Sequence, residues 1–114
     1  MEYGFNEYQE QASRTINERL DLIEKTQHAL HGMAAEVGEV HGLYQKIYQG
    51  HDVREEELKK ELGDLMWFVA EYCTAMGWAM EEVARMNIEK LMRRYPEGFD
   101  EERSRVRHEE AGGD

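Results

Sequence analysis

Two runs of apolar residues decide what this chain can fold into. Leu30, Met33, Val37, Val40, Tyr44 and Ile47 stand alternately three and four residues apart, and Leu58, Leu62, Leu65, Val69, Tyr72 and Met76 repeat the alternation. Only an α-helix brings residues at those intervals onto one line, so the chain must hold two long helices, each with an apolar seam. The turn QGHD, residues 49–52, joins them. Helices linked by so short a turn lie antiparallel.

The remaining residues read the same way. Asn6 and Gln9 have capping-box spacing with Phe5 just before them, and Tyr8, Ala12, Ile16, Leu20 and Ile23 then fall on one stripe of a first helix. Asp52 with Glu55 predicts the start of the third helix, and Gly77 its end. A fourth runs from about Met80 through Val83, Ala84, Ile88 and Leu91 until Pro96, which disfavours helical geometry in the residue before it. The chain of 114 residues has a single Pro and is rich in helix formers. The expectation is an all-α, four-helix-bundle-like domain over residues 1–99. The tail, 100–114, has one aliphatic residue, Val106, and is expected to fray or to form at most a short solvated helix. Trp67, Phe68 and Ala70 lie outside the third helix's seam. That apolar surplus predicts coverage by a second copy, as a homodimer or homotetramer.

Charge and cysteine use narrow the class. A formal net charge of −11 argues against nucleic acid as a partner, because that affinity rests on basic residues neutralising phosphates. The one cysteine, Cys73, excludes an internal disulfide and sits in the apolar run LMWFVAEYC, where a buried reduced thiol is expected. No basic-then-apolar leader opens the sequence and no apolar run approaches the ~18 residues of a membrane span. No membrane partner is expected, and the cytoplasm is the expected compartment.

EVGEV (36–40) and ELGDL (61–65) are one pattern written twice, each with a Gly in a helix interior. Such a Gly costs about 1 kcal/mol relative to Ala. Residues three apart share a helix surface, so Glu36 with Glu39, and Glu61 with Asp64, each point together beside a seam. In an antiparallel pair four carboxylates can converge, which needs something positive among them. All-oxygen ligation suits Mg2+, with Mn2+ as a substitute. Gly38 and Gly63 are then expected to let a neighbouring helix or a ligand approach the backbone. A single acid pair is commonly a solvated face; two copies, each with a glycine beside an apolar seam, are not explained that way.

In NIEKLMRRYPEGF, Asn87, Lys90 and Arg94 are three and four apart on one edge of the fourth helix. Cations near a helix C-terminus complement its dipole, but that leaves Asn87, a poor mid-helix residue, unexplained. Amide, ammonium and guanidinium on one stripe make a phosphate grip. Cation and grip together suggest a phosphorylated polyanion whose phosphorus is attacked by an activated water.

GMAAEVGEVHGL, KKELGDLMWFVAEYC and NIEKLMRRYPEGF, in this order, resemble the MazG-type nucleoside triphosphate pyrophosphohydrolases of the all-α NTP pyrophosphatase superfamily, over roughly residues 5–99. The resemblance implies an enzyme that cleaves between the α and β phosphates with Mg2+, giving a nucleoside monophosphate and pyrophosphate. It also implies metal-binding roles for Glu36, Glu39, Glu61 and Asp64, phosphate contacts from Lys90 and Arg94 with Asn87 and Tyr95 beside them, and assembly of two or more chains. Either Glu36 or Glu39 is expected to activate the water.

Base recognition is less defined. Gln9, His28 and His31, with Tyr3 and Phe5 nearby, are candidates to stack on or hydrogen-bond a base. A carboxylate-bridged di-iron bundle would need Glu-x-x-His on two helices, and neither Glu36 nor Glu61 has a His at that spacing. Two alternatives stand: a superfamily enzyme acting on dUTP, dCTP or phosphoribosyl-ATP, and a non-catalytic helical module that binds a regulatory partner.

Overall fold

The computed structural model describes residues 3–109, with side chains described through 106. Among the described residues there are five helices and no strand: α1 (Phe5–Ser13), α2 (Leu22–Tyr48), α3 (Glu55–Met76), α4 (Met80–Arg94) and α5 (Glu101–Glu109). None is long and apolar enough to cross a membrane. Two compact units divide after Met80.

In the first unit, α1 stops at Ser13 instead of running on to Ile23 as the stripe predicts. Short polar side chains take over the backbone there. Ser13 Oγ donates to Glu10 O, Thr15 Oγ1 donates to Ala12 O, and Asn17 Oδ1 accepts from Arg19 N. Such local bonds compete with the helical ladder. Asp21 then opens α2 with a full capping box: its Oδ1 accepts from Glu24 N at 2.8 Å and Glu24 Oε1 accepts from Asp21 N at 2.9 Å.

The other helix starts are displaced by two residues from the predicted boxes. Glu7 Oε1 accepts from Gly4 N, and Glu57 Oε2 accepts from Arg54 N. Neither Gly nor Arg has a side-chain acceptor to return the bond, so each is half a box. The C-termini of α2 and α3 close alike. His51 N donates to Lys46 O and Gly50 N to Ile47 O, while Trp78 N donates to Cys73 O and Gly77 N to Thr74 O. This paired closure needs a left-handed residue, which Gly50 and Gly77 supply at φ 90° and 75°.

Cross-contacts set the helix directions. His28 meets Glu71, Gly32 lies under the Phe68 ring, and Glu36 meets Glu61 and Asp64. Numbers rise on α2 as they fall on α3, so the two are antiparallel. Helix α1 packs on α3 as well: Trp67 Nε1 donates to Thr15 Oγ1 at 2.8 Å and Ala12 O at 3.2 Å. Ala12, Ala70, Cys73 and Met80 form the buried core, with Tyr8, Trp67 and Val69 against it.

This shifts the predicted facing of the helices. Trp67, Phe68 and Ala70, read as surplus, face inward within the chain, while part of each seam looks outward: Leu30, Tyr44 and Leu62 are each 51% exposed, although Val69 of the α3 seam packs against the core. Spacing identifies a stripe without saying which of two adjoining stripes meets the neighbour in the same chain. On α3 both are apolar, and the hydrogen bonds of Trp67 to α1 turn the aromatic one inward.

In the second unit, the connection after α4 turns at Gly98 (φ 97°), with Tyr95 and Phe99 rings 5.4 Å apart. Asp100 caps α5, its Oδ1 accepting from Glu102 N at 2.9 Å. Arg103 Nη1 donates to Arg94 O at 3.1 Å and so closes the end of α4. Residues 101–109 of the tail are helical, with the side chains of 101–103, 105 and 106 exposed. The rest of the tail lies outside the described residues.

Candidate functional site

Glu36 projects from the middle of α2, and Glu61 and Asp64 project one turn apart from α3. Each offers one carboxylate oxygen, and the three oxygens lie within 4.8 Å of one another. Glu36 Oε2 is shut off from solvent and has no hydrogen-bond partner among the described residues. A carboxylate oxygen held that way costs free energy unless something positive reaches it. The proton that Glu36 shares with Glu61, then burial, then repulsion from Glu61, Asp64 and Glu39 push its pKa up to about 7. The cluster without a counter-charge is thus electrostatically overloaded, and its donor set is all hard oxygen.

The fourth expected acid, Glu39, is exposed and outside this trio, though near enough to repel Glu36. Tyr8 approaches from α1, its hydroxyl donating to Gly63 O at 3.5 Å. Burial first, then Tyr3 and the charge of Asp64, raise the phenol's pKa.

Gly38 and Gly63 do not serve the approach of a neighbouring helix: a Cβ built at either would meet nothing within 4 Å among the described residues, which leaves the space beside them open. The open space at Gly38 is part of a shallow groove that Glu39 and Gly42 also line. The glycine that permits close approach is Gly32, where a Cβ would run into the Phe68 ring.

Both polar atoms of the Gln9 side chain are held by the fold. Its Nε2 donates to Trp78 O at 2.8 Å and Thr74 Oγ1 at 3.2 Å, and its Oε1 accepts from Met80 N at 2.7 Å. It fastens α1 to the turn after α3, a structural role that occupies both ends of its amide. His31 is exposed on α2. His28 places Nδ1 2.8 and 2.9 Å from the two oxygens of Glu71, whose side chain is wholly buried. Glu71 escaped the sequence reading, and so did Gly32. A signal was available: once Glu36 faces Asp64, steps of four back along α2 reach Gly32 and His28, and steps of four and three along α3 reach Phe68 and Glu71.

The basic stripe lies on α4, in the second unit. Asn87 is exposed, Lys90 and Arg94 are half-buried, and Arg94 Nε is cut off from solvent without a hydrogen-bond partner among the described residues. Tyr95, just past the helix, packs against Phe99.

Residues 16–99 match the family model of the MazG nucleotide pyrophosphohydrolase domain. The chain is also 30% identical over 83 residues to the Gene 37 protein of Mycobacterium phage L5, a span covering 68% of this chain and 73% of that protein. No solved structure gives a significant match.

Proposed function

Since the chain belongs to the MazG nucleotide pyrophosphohydrolase family, we propose that it hydrolyses nucleoside triphosphates between the α and β phosphates, giving a nucleoside monophosphate and pyrophosphate. The observation that carries the reading is the orphaned, buried Oε2 of Glu36 inside a three-carboxylate cluster. Glu36, Glu61 and Asp64 fit a hard divalent cation, Mg2+ or in its place Mn2+, and Glu39 completes the set from the side. When bound, that cation neutralises phosphate charge and polarises the phosphorus that water attacks.

The chain's own residues do the rest. Glu39, exposed and one turn from Glu36, accepts the proton of the attacking water. Glu36 holds the cluster together from α2, opposite the two acids of α3. Lys90 and Arg94 grip phosphate oxygens, the first as a point charge and the second as a planar fork, with Asn87 and Tyr95 beside them. The outward seams of Leu30, Tyr44 and Leu62 form the surface on which a second copy packs, in a homodimer or homotetramer. The compartment is the cytoplasm.

The test is turnover with pyrophosphate detection on a panel of canonical, deoxy and oxidised nucleotides. Glu39→Gln and Asp64→Asn should each abolish turnover while the helical circular dichroism signal stays intact. Full activity in both variants refutes the assignment. A wild-type protein inactive on the whole panel would favour a regulatory module.

A further inference from the structure

Glu71 stands apart from every other charged side chain described: none of its side chain is exposed, and it lies two turns along α3 from Asp64. Removing a carboxylate from water costs several kcal/mol before pairing. Its partner is the Nδ1 of His28, on both oxygens. An apolar pair of similar volume would hold α2 to α3 as well or better, so helix packing does not account for it.

We infer that His28 is the side chain that contacts the nucleobase, and that Glu71 is the residue that positions it. The inference rests on the phosphate chemistry proposed for the acid cluster. A carboxylate only accepts hydrogen bonds, so the proton of a neutral His28 ring is on Nδ1 and the lone pair on Nε2. The Phe68 ring, 5.7 Å away and tilted by 60°, restrains the imidazole plane. The His28 side chain is nevertheless 49% exposed, and its Nε2 has no partner among the described residues. The outcome is one oriented acceptor, open to a ligand, with its tautomer fixed from behind.

Placement supplies the identity of the ligand. His28 and Glu36 lie on the same face of α2, eight residues or about 12 Å apart along the axis. A triphosphate held at Glu36, Glu61 and Asp64 leaves its nucleoside to span about that length. The group that meets Nε2 is then an N–H on the base edge, an imide or an exocyclic amine. His31 has no residue holding its ring from behind among the described residues, and both polar atoms of Gln9 are tied to the turn after α3.

The test compares two ligands in Mg2+: a non-hydrolysable α,β-methylene nucleoside triphosphate and inorganic tripolyphosphate, which has no base. By 15N NMR of the wild type, His28 should show a protonated Nδ1 and a bare Nε2. The nucleotide analogue should shift the Nε2 resonance and tripolyphosphate should not. This arm needs no variant to fold. In calorimetry, His28→Ala should weaken the analogue about tenfold, the scale of one hydrogen bond, and change tripolyphosphate binding less than twofold. Glu71→Gln, whose amide can donate to Nδ1, should mix the tautomers and weaken the analogue in the same selective way. Equal losses for both ligands, a proton resident on Nε2, or an unmoved Nε2 in the presence of bound nucleotide would overturn the inference while leaving the hydrolase reading intact. A wild type that binds neither ligand would overturn both.

Discussion

Replacing Gly32 by Ala, with Gly38→Ala as its partner experiment, separates two roles that a helical glycine can have. Ala is better than Gly in a helix interior by about 1 kcal/mol. At Gly38 an added methyl meets nothing within 4 Å, so the propensity gain should appear whole. At Gly32 the same methyl enters the Phe68 ring. That ring has little room to retreat, with Trp67 edge-on at 5.1 Å and His28 at 5.7 Å. Overpacking of this kind costs about 1–3 kcal/mol. The propensity term cancels between the two variants, so Gly32→Ala should be less stable than Gly38→Ala by about 1–3 kcal/mol. For a domain of this size that is about 4–8 °C in midpoint per kcal/mol. Urea unfolding followed by circular dichroism, at one fixed protein concentration, measures the difference. Adding Phe68→Leu should recover stability in the Gly32→Ala background through a coupling that a double-mutant cycle reads directly. If the two single variants unfold together, the close approach of α2 and α3 at Gly32 is wrong.

Three further predictions concern the acid cluster and the helix starts. Cation binding must displace the proton that Glu36 holds with a pKa of about 7, so affinity for Mn2+ or Mg2+ should fall as the pH drops below 7, with proton release on binding; calorimetry in buffers of different ionisation enthalpy checks both. In the metal-free protein the folded-state pKa of Glu36 lies above its ordinary 4.5. Its contribution to stability is therefore complete below about pH 4.5 and lost as the pH rises through 7, which urea midpoints across that range should show. Asp21→Ala removes the acceptor for Glu24 N and should cost about 1 kcal/mol, whereas Asp52→Ala, outside the observed cap of α3, should be nearly silent.

The long helices α2 and α3 were legible because spacing alone demands them, and their stops at Gly50 and Gly77 were legible because a left-handed turn favours glycine. Of the four acids expected to converge, Glu36 of α2 meets Glu61 and Asp64 of α3, while Glu39 stands outside the trio. Facing was not legible. The stripe that α2 turns toward α3 holds His28, Gly32 and Glu36, with the small Ala29 as its fully buried apolar residue, and a search for large hydrophobic residues at helical spacing passes over it. The end of α1 was hidden for a related reason: Ile16 and Leu20 continue the apolar stripe, while the side chains that break the helix, Ser13, Thr15 and Asn17, act through local hydrogen bonds that periodicity does not register. Glu71 was one more acid in an acidic chain until its burial set it apart.

The inward stripe also determines how α2 and α3 can be aligned. Seams built from repeating aliphatic residues tolerate sliding by a turn, since one Leu replaces another. Here a slip in one direction would set Phe68 against His28 and bring the carboxylates of Glu24 and Glu71 face to face. In the other it would set Phe68 against Glu36 and strand Glu71 opposite Gly32. One bare position and one buried acid thus act as a ratchet stop, letting the two longest helices of the chain lock at a single offset.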